Sequence, residues 1–183
     1  MKSDRKLRLT GGRVCLRRVE KKDCDEFLRL IRKSRRFHRG LVSPPKERRH
    51  FLAWVRRGGE ASAAHFLLSR VGDEAILGAI SLGHIIRGNL NSAFVGYYIG
   101  APFACQGYMT EALQLVLRFA FNELRLNRLE ANIQPRNLVS KSLVQRAGFV
   151  REGISRRYLK VCGRWQDHER WAILAEDWRR QQR

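Results

Sequence analysis

The stretch VGYYIGAPFACQGYMTE, Val95 to Glu111, decides the reading of this chain. A strand-like run with the aromatic pair Tyr97-Tyr98 passes through a short loop into a helix that opens around Gln106, Gly107, Tyr108, Met109 and Thr110. The first N–H groups of a helix have no partner inside it. Aligned peptide dipoles add roughly half a positive charge there, worth about 0.3–1 kcal/mol to a nearby anion. Gly107 has no side chain to keep phosphate oxygens from the backbone. The segment therefore reads as a pyrophosphate cradle. It has neither P-loop spacing nor a GxGxxG triplet, so NTPase and dinucleotide-fold readings fall away.

Downstream, Thr110 to Leu124 is an apolar helix with Ala112, Leu113, Val116, Leu117 and Ala120 available for burial. Arg128 to Gln134 is a strand. The run Gln134-Pro135-Arg136-Asn137-Leu138-Val139-Ser140 then places an amide and a hydroxyl at the start of a helix, Asn137 to Ala147, that stops at Gly148. Two strands, Phe149 to Val161 and Trp165 to Leu174, flank a Cys162-Gly163 turn. Upstream, Leu7 to Val19 suggests an initial strand, and Lys22 to Arg35 a helix with Phe27, Leu28, Leu30 and Ile31 on its apolar stripe. Ser43-Pro44-Pro45 suits the start of a helix ending at Gly58-Gly59. Ala64 to Val71, Ala75 to Ile86 and Ser92 to Ile99 read as strands joined by turns at Gly72-Asp73 and Arg87-Gly88-Asn89. With no repeat or linker, residues 1–183 read as one domain. The order predicts an α+β fold whose mixed sheet is split near its middle.

Thirty-seven Lys and Arg against 17 Asp and Glu give a formal charge of +20. Such a charge favours nucleic acid, an anionic membrane or an acidic substrate, although a general bias towards Arg would give the same total. Residues 32–57 hold ten basic side chains and a single acid, Glu47. Cys15, Cys24, Cys105 and Cys162 lack metal-ligand or redox spacing, so no metal is expected and reduced thiols are the simplest account. The N-terminus lacks a signal-peptide pattern and no apolar run approaches the ~18 residues of a membrane span. A soluble, cytoplasmic protein is expected.

Together, the strand–Gly107–helix segment, Asn137 with Ser140, and Gly148-Phe149 resemble the GNAT acetyltransferases. SLGHIIRGNLNSAFVGYYIG, QGYMTEAL and YLKVCGRWQDHERWAILAEDW are similar to the RimJ/RimL class of ribosomal-protein alanine N-acetyltransferases, its RimJ branch in particular. The resemblance covers about residues 7 to 178, and the YLxxxGxWxDH pattern is its most specific part. It implies the GNAT fold, a mostly antiparallel mixed sheet of about seven strands with about four helices. It also implies acetyl-CoA as co-substrate and direct attack of an amine on the thioester. By the same resemblance Cys105, Gln106, Gly107, Tyr108, Met109 and Thr110 hold the pyrophosphate through main-chain amides. Tyr98 and Ile99 line the pantetheine arm, Asn137 hydrogen-bonds it, and Ser140 protonates the departing thiolate.

The sequence departs from the pattern in several places. Ala104 stands where Arg or Gln is usual, Cys105 where glycine is common, and Met109 where Gly or Ala is usual. Val144 occupies the place of the tyrosine acid of many relatives, and Ala101 that of a proposed RimL glutamate base. Glu111, His84 and His168 are left as candidate bases. A peptide α-amine with pKa near 8 is roughly a tenth neutral at pH 7, and a lysine near 10.4 only about 4 parts in 10,000. A site without a carboxylate base therefore favours an N-terminal amine, by the resemblance an alanine of a small-subunit ribosomal protein. Arg35, Arg36, Arg39, Arg48 and Arg49 would attract an acidic acceptor or ribosomal RNA. The rival readings are a small-molecule acetyltransferase acting on an aminoglycoside or polyamine, and a ribosome- or RNA-binding module without turnover.

Overall fold

The computed structural model describes residues 7–182. Residues 1–6, which include the segment read above as lacking a signal-peptide pattern, and residue 183 lie outside the described residues. Gly11 and Gly12 break the first apolar run, so it folds as a hairpin of β1 (Arg8–Thr10) and β2 (Val14–Arg18) instead of one strand. Next come α1 (Cys24–Lys33) and α2 (Arg48–Arg57). The antiparallel run follows, β3 (Ala64–Arg70), β4 (Ile76–Ile86) and β5 (Ser92–Ile99). The second half contains α3 (Tyr108–Arg118), β6 (Arg128–Ile133), α4 (Leu138–Arg146), β7 (Val150–Val161), β8 (Arg164–Leu174) and α5 (Ala175–Gln181).

The strands form one sheet in the order β1-β2-β3-β4-β5-β6-β8-β7. Every neighbouring pair is antiparallel except β5–β6. The mixed, mostly antiparallel α+β architecture is as expected, with eight strands and five α-helices among the described residues. The extra strand comes from the Gly11-Gly12 hairpin. The extra helix, α5, follows the last strand and buries Trp178 against Phe121 at 5.5 Å between ring centroids.

Successive strand residues face opposite sides, and β5 follows this rule. Val95, Tyr97 and Ile99 join the core beneath α3 and α4, which includes Leu113, Leu117, Phe66 and Ile80. Tyr98 joins the other core, beneath α1 and α2. There Phe27 packs against Phe51 and Trp54 with centroids 5.3 and 5.4 Å apart. Burying a side chain of this size contributes about 1.5–3 kcal/mol.

Two boundaries differ from expectation. The helix expected over Thr110–Leu124 begins at Tyr108, and its last turn, Phe119–Glu123, widens to π geometry, with Leu124 N–H bonding Phe119 O at 3.0 Å. The helix expected from Ser43 begins only at Arg48. Ser43 and Pro44 each precede a proline, which disfavours helical backbone at both. Ser43 instead ties its loop to the β7–β8 turn, its Oγ accepting the Cys162 N–H at 3.1 Å.

Candidate active site

The sheet opens where its single parallel pair ends. β5 and β6 are in register only at Ser92–Arg128, Ala93–Leu129 and Phe94–Glu130. β5 is held beyond that point by β4, from Val95 opposite Leu82 to Ile99 opposite Gly78, and β6 is held by β8 to Ile133. The strands therefore diverge and leave a cleft of about 480 Å³ between them. Val95 to Ile99 line one side and Ala131 to Gln134 the other. The facing strand edges offer main-chain donors and acceptors that the sheet does not use.

At one end of the cleft lies the start of α3. Cys105 (φ +60°) and Gly107 (φ +81°) both adopt left-handed backbone, and no side chain caps the helix among the described residues. A Cβ on Gly107 would meet Arg13 Nη2 at 3.0 Å. Arg13 also lies over the Tyr108 ring, 5.0 Å from its centroid, and donates to Gln106 O at 3.1 Å. A guanidinium thus stands beside the positive end of the helix. Cys105, Gly107, Tyr108, Met109 and Thr110 line the cleft. Gln106 does not; its side-chain amide donates to Pro102 O at 2.8 Å.

α4 forms the facing wall. Asn137 caps it by accepting the Ser140 N–H at 3.2 Å, and both residues line the cleft. The Ser140 hydroxyl is hydrogen-bonded to the Tyr97 hydroxyl. Burial pushes the Tyr97 phenol up to about 12, so it keeps its proton at neutral pH. Tyr97 was not singled out from the sequence. Strand alternation contained the signal, since Tyr98 and Tyr97 must face opposite sides and only one of them can meet α4.

The loop after α1 closes the cleft from the other face. His38 Nε2 lies 2.6 Å from Ile99 O, so this nitrogen carries the hydrogen and Nδ1 keeps a lone pair. Burial lowers the His38 pKa and favours the neutral ring. Gln134 Nε2 and Arg136 Nη2 both donate to Gly40 O at 2.8 Å, which pins the loop to the end of β6. Phe37, His38, Leu41 and Val42 thereby become cleft residues, none of them identified from sequence because only distant contacts bring them there.

The three candidate bases separate clearly. His168 lines the cleft, nearly buried, with Nδ1 3.0 Å from Gln166 O. His84 does not line it and sits edge-on to Phe94 at 6.0 Å. Glu111 also lies outside the lining and accepts the Arg13 and Val14 N–H groups at 2.8 and 3.3 Å. Removing that acceptor leaves two amides at the start of β2 without it, at a cost of about 1–3 kcal/mol. Glu111→Ala is therefore expected to lower the thermal midpoint by several degrees and leave the shape of the pH–rate profile intact. Differential scanning fluorimetry and a kcat/KM profile check both. Val144 is fully buried in the core beneath α4.

Comparison with known proteins agrees with this arrangement. The profile of the acetyltransferase (GNAT) domain family matches residues 13–150. "Probable N-acetyltransferase YjcK" of Bacillus subtilis (strain 168) is 36% identical over 177 residues, covering 92% of this chain and 98% of that one. The [ribosomal protein uS5]-alanine N-acetyltransferase of Escherichia coli (strain K12) is 30% identical over 182 residues, covering 94% and 93%. Among solved structures, Mycobacterium smegmatis RimJ in complex with CoA-disulfide superposes with a TM-score of 0.78 at 28% identity, over 89% of this chain and 82% of that one. A sheet split at its one parallel pair, an uncapped helix start beside the split, and similarity along nearly the whole chain place this protein in the GNAT acetyltransferase family, as an N-acetyltransferase with RimJ-type relatives.

Proposed function

We propose that the protein transfers the acetyl group of acetyl-CoA to the N-terminal α-amine of a protein, an alanine of a small-subunit ribosomal protein being the favoured acceptor. The observation that carries this reading is the divergence of β5 from β6, which opens a passage between the two faces of the sheet. The N-terminal turn of α3, with Arg13 beside it, suits the coenzyme's pyrophosphate. Cys105, Gly107, Tyr108, Met109 and Thr110 present main-chain amides there, while Gln106 contributes backbone only. The apolar edge formed by Val95, Tyr97 and Ile99 suits the pantetheine arm, with the Asn137 side-chain amide as a polar contact. Tyr98, expected beside Ile99 along that arm, instead packs in the α1–α2 core because strand alternation turns it to the other face, and it borders the acceptor side of the cleft. Ser140 protonates the departing thiolate, and Tyr97 holds the Ser140 hydroxyl in place.

In direct attack the neutral amine adds to the thioester carbonyl, the carbon–sulfur bond breaks and the amine loses a proton. His38 and His168 are the cleft imidazoles able to pass that proton to water. Neither has to deprotonate a lysine, because the α-amine already carries the required lone pair in part. The 30% identical uS5-alanine N-acetyltransferase supports the N-terminal reading over a polyamine or aminoglycoside acceptor. The +20 charge disfavours cationic acceptors and would draw the enzyme to ribosomal RNA in a salt-dependent way.

The deciding measurement is thiol release from acetyl-CoA with an Ala-initiated peptide that also contains lysine, followed by mass spectrometry of the product. Acetyl on the α-amine alone is expected, and acetyl on lysine with a free N-terminus would overturn the reading. The rate should rise with pH up to about 8, following the amine. Because burial depresses the His38 pKa, no inflection from His38 is expected above about pH 6.5. Comparing N-terminal acetylation of ribosomal proteins from cells with and without the protein tests the acceptor itself.

A further inference from the structure

On the α1 face of the sheet the protein has a second cavity, of about 790 Å³. His38, Val42 and Tyr98 line both this cavity and the cleft, so it lies directly behind the passage. Arg32, Arg35, Arg36, Arg39 and Lys46 line it, and no carboxylate does among the described residues. None of these five cations has an ion-pair partner among the described residues. The neighbouring arginines behave differently: Arg48 pairs with Asp25 at 3.5 Å and Arg49 with Glu47 at 2.8 Å, and neither lines the cavity. Within the basic segment 32–57, Arg48 and Arg49 are thus paired with acids while the five cations of the pocket are left uncompensated.

A second observation lies in the shared wall. The Tyr98 hydroxyl is buried without a hydrogen-bond partner. Ser34 lies near enough to act on that phenol, but its Oγ accepts the Ala101 N–H at 2.9 Å and makes no well-formed hydrogen bond to Tyr98. A buried hydroxyl left open in this way is unusual in a folded protein and marks a place where a ligand group would complete it.

The geometry points to this cavity as the seat of the acceptor residues that follow the N-terminal one, and to a preference for Asp and Glu there. This rests on the N-terminal acetyl-transfer reading above. An extended chain advances about 3.3 Å per residue, so residues two to four after the reacting amine would fall within a cavity of this size. Guanidinium forks bind carboxylates in planar, two-point fashion, and four of the five cations are arginines. Single-stranded RNA is favoured less, because its readers offer exposed aromatic faces on which bases stack. The sole aromatic ring besides His38 in this lining is the buried Tyr98.

The test uses the full chain and three C-terminally labelled peptides that share an N-terminal alanine and carry Asp-Glu-Asp, Ser-Gln-Ser or Lys-Lys-Lys at positions two to four. Fluorescence anisotropy reads binding, and thiol release reads turnover. The acidic peptide is expected to bind at least 10-fold more tightly than the lysine peptide, with the difference in KM and not in kcat, and to lose most of that advantage in about 0.5 M salt. Arg35→Glu/Arg39→Glu should erase or invert the preference. Arg118→Glu/Arg179→Glu, which changes net charge equally on exposed positions outside the cavity, should keep it. Equal binding of the three peptides, or a preference that survives R35E/R39E, overturns the inference. So does an R35E/R39E protein that keeps the peptide preference but loses affinity for a labelled oligouridine, an outcome that assigns the pocket to RNA. If the acidic peptide binds in an Arg35- and Arg39-dependent way but is not acetylated, the pocket assignment stands and the N-terminal transfer reading fails.

Discussion

Gly107→Val is expected to weaken coenzyme A binding about 100- to 1,000-fold and to reduce turnover at ordinary acetyl-CoA concentrations to near the limit of detection. Gly107 sits at φ +81° immediately before α3. A β-branched residue is a true outlier in left-handed backbone, and the added Cβ would press on Arg13 Nη2 at 3.0 Å. The loop must then rotate, and the first amides of α3 turn away from the cleft. Losing about two charge-assisted hydrogen bonds to phosphate, each near the lower end of the roughly 1.5–3 kcal/mol range, gives a loss of the stated size. Displacing Arg13 would add to it.

The substitution also strains the fold, so a matched control is needed. Gly88 lies in the β4–β5 turn at φ +74°, and a Cβ there meets nothing within 4 Å. Gly88→Val has a similar left-handed penalty, about 1–2 kcal/mol, without touching the cleft. Both variants should lose a few degrees of thermal midpoint. Only G107V should lose coenzyme binding by isothermal calorimetry. Equal coenzyme affinity in the two variants would mean that the turn at Gly107 is a structural bend and that the pyrophosphate lies elsewhere.

The same residue shows how far local sequence reasoning reaches. Glycine before an apolar helix, Asn137 before another, and alternating strands between turns are short-range signals. The order of elements and the split sheet follow from them, as does the location of the candidate site at the start of α3. The hairpin at Gly11-Gly12 was also a local signal, hidden because alternation on its two sides looked continuous. What escaped were long-range contacts. Ser43 reads as a cap by itself, yet two following prolines hold it extended and its hydroxyl meets Cys162 N–H, 119 residues away. His38 reads as one more residue in a basic loop. Gln134 and Arg136 draw that loop over the cleft through Gly40 O, which places the imidazole against Ile99 O. Glu111 looked like a possible base because composition cannot show that its carboxylate already binds the Arg13 and Val14 amides. Tyr97 and Tyr98 form an adjacent pair in the sequence, and the pleat separates them into two cores with different neighbours.

That separation leads to the second large effect. Ser140→Ala is expected to lower kcat about 30- to 100-fold with little change in KM for acetyl-CoA. General acid catalysis typically contributes about 10²–10⁴-fold. A value at or just below the lower end applies here because a thiolate, with a parent pKa near 8.5, leaves without full protonation. Tyr97 acts through Ser140. Its phenol, pushed up to about 12, keeps its proton and can donate to the Ser140 hydroxyl, which is then free to give its own proton to sulfur. Tyr97→Phe removes that orientation but leaves the donor, so a loss of about 3- to 10-fold is expected. If the two act in series, S140A/Y97F should be no slower than S140A, whereas independent roles would multiply the losses. The single and double variants should converge further with an acetyl thioester of a more acidic thiol, which needs less protonation to depart. Multiplicative losses would separate Tyr97 from Ser140, and an S140A defect that persists unchanged with the better leaving group would move Ser140 from proton donor to a merely packed residue beneath the thioester.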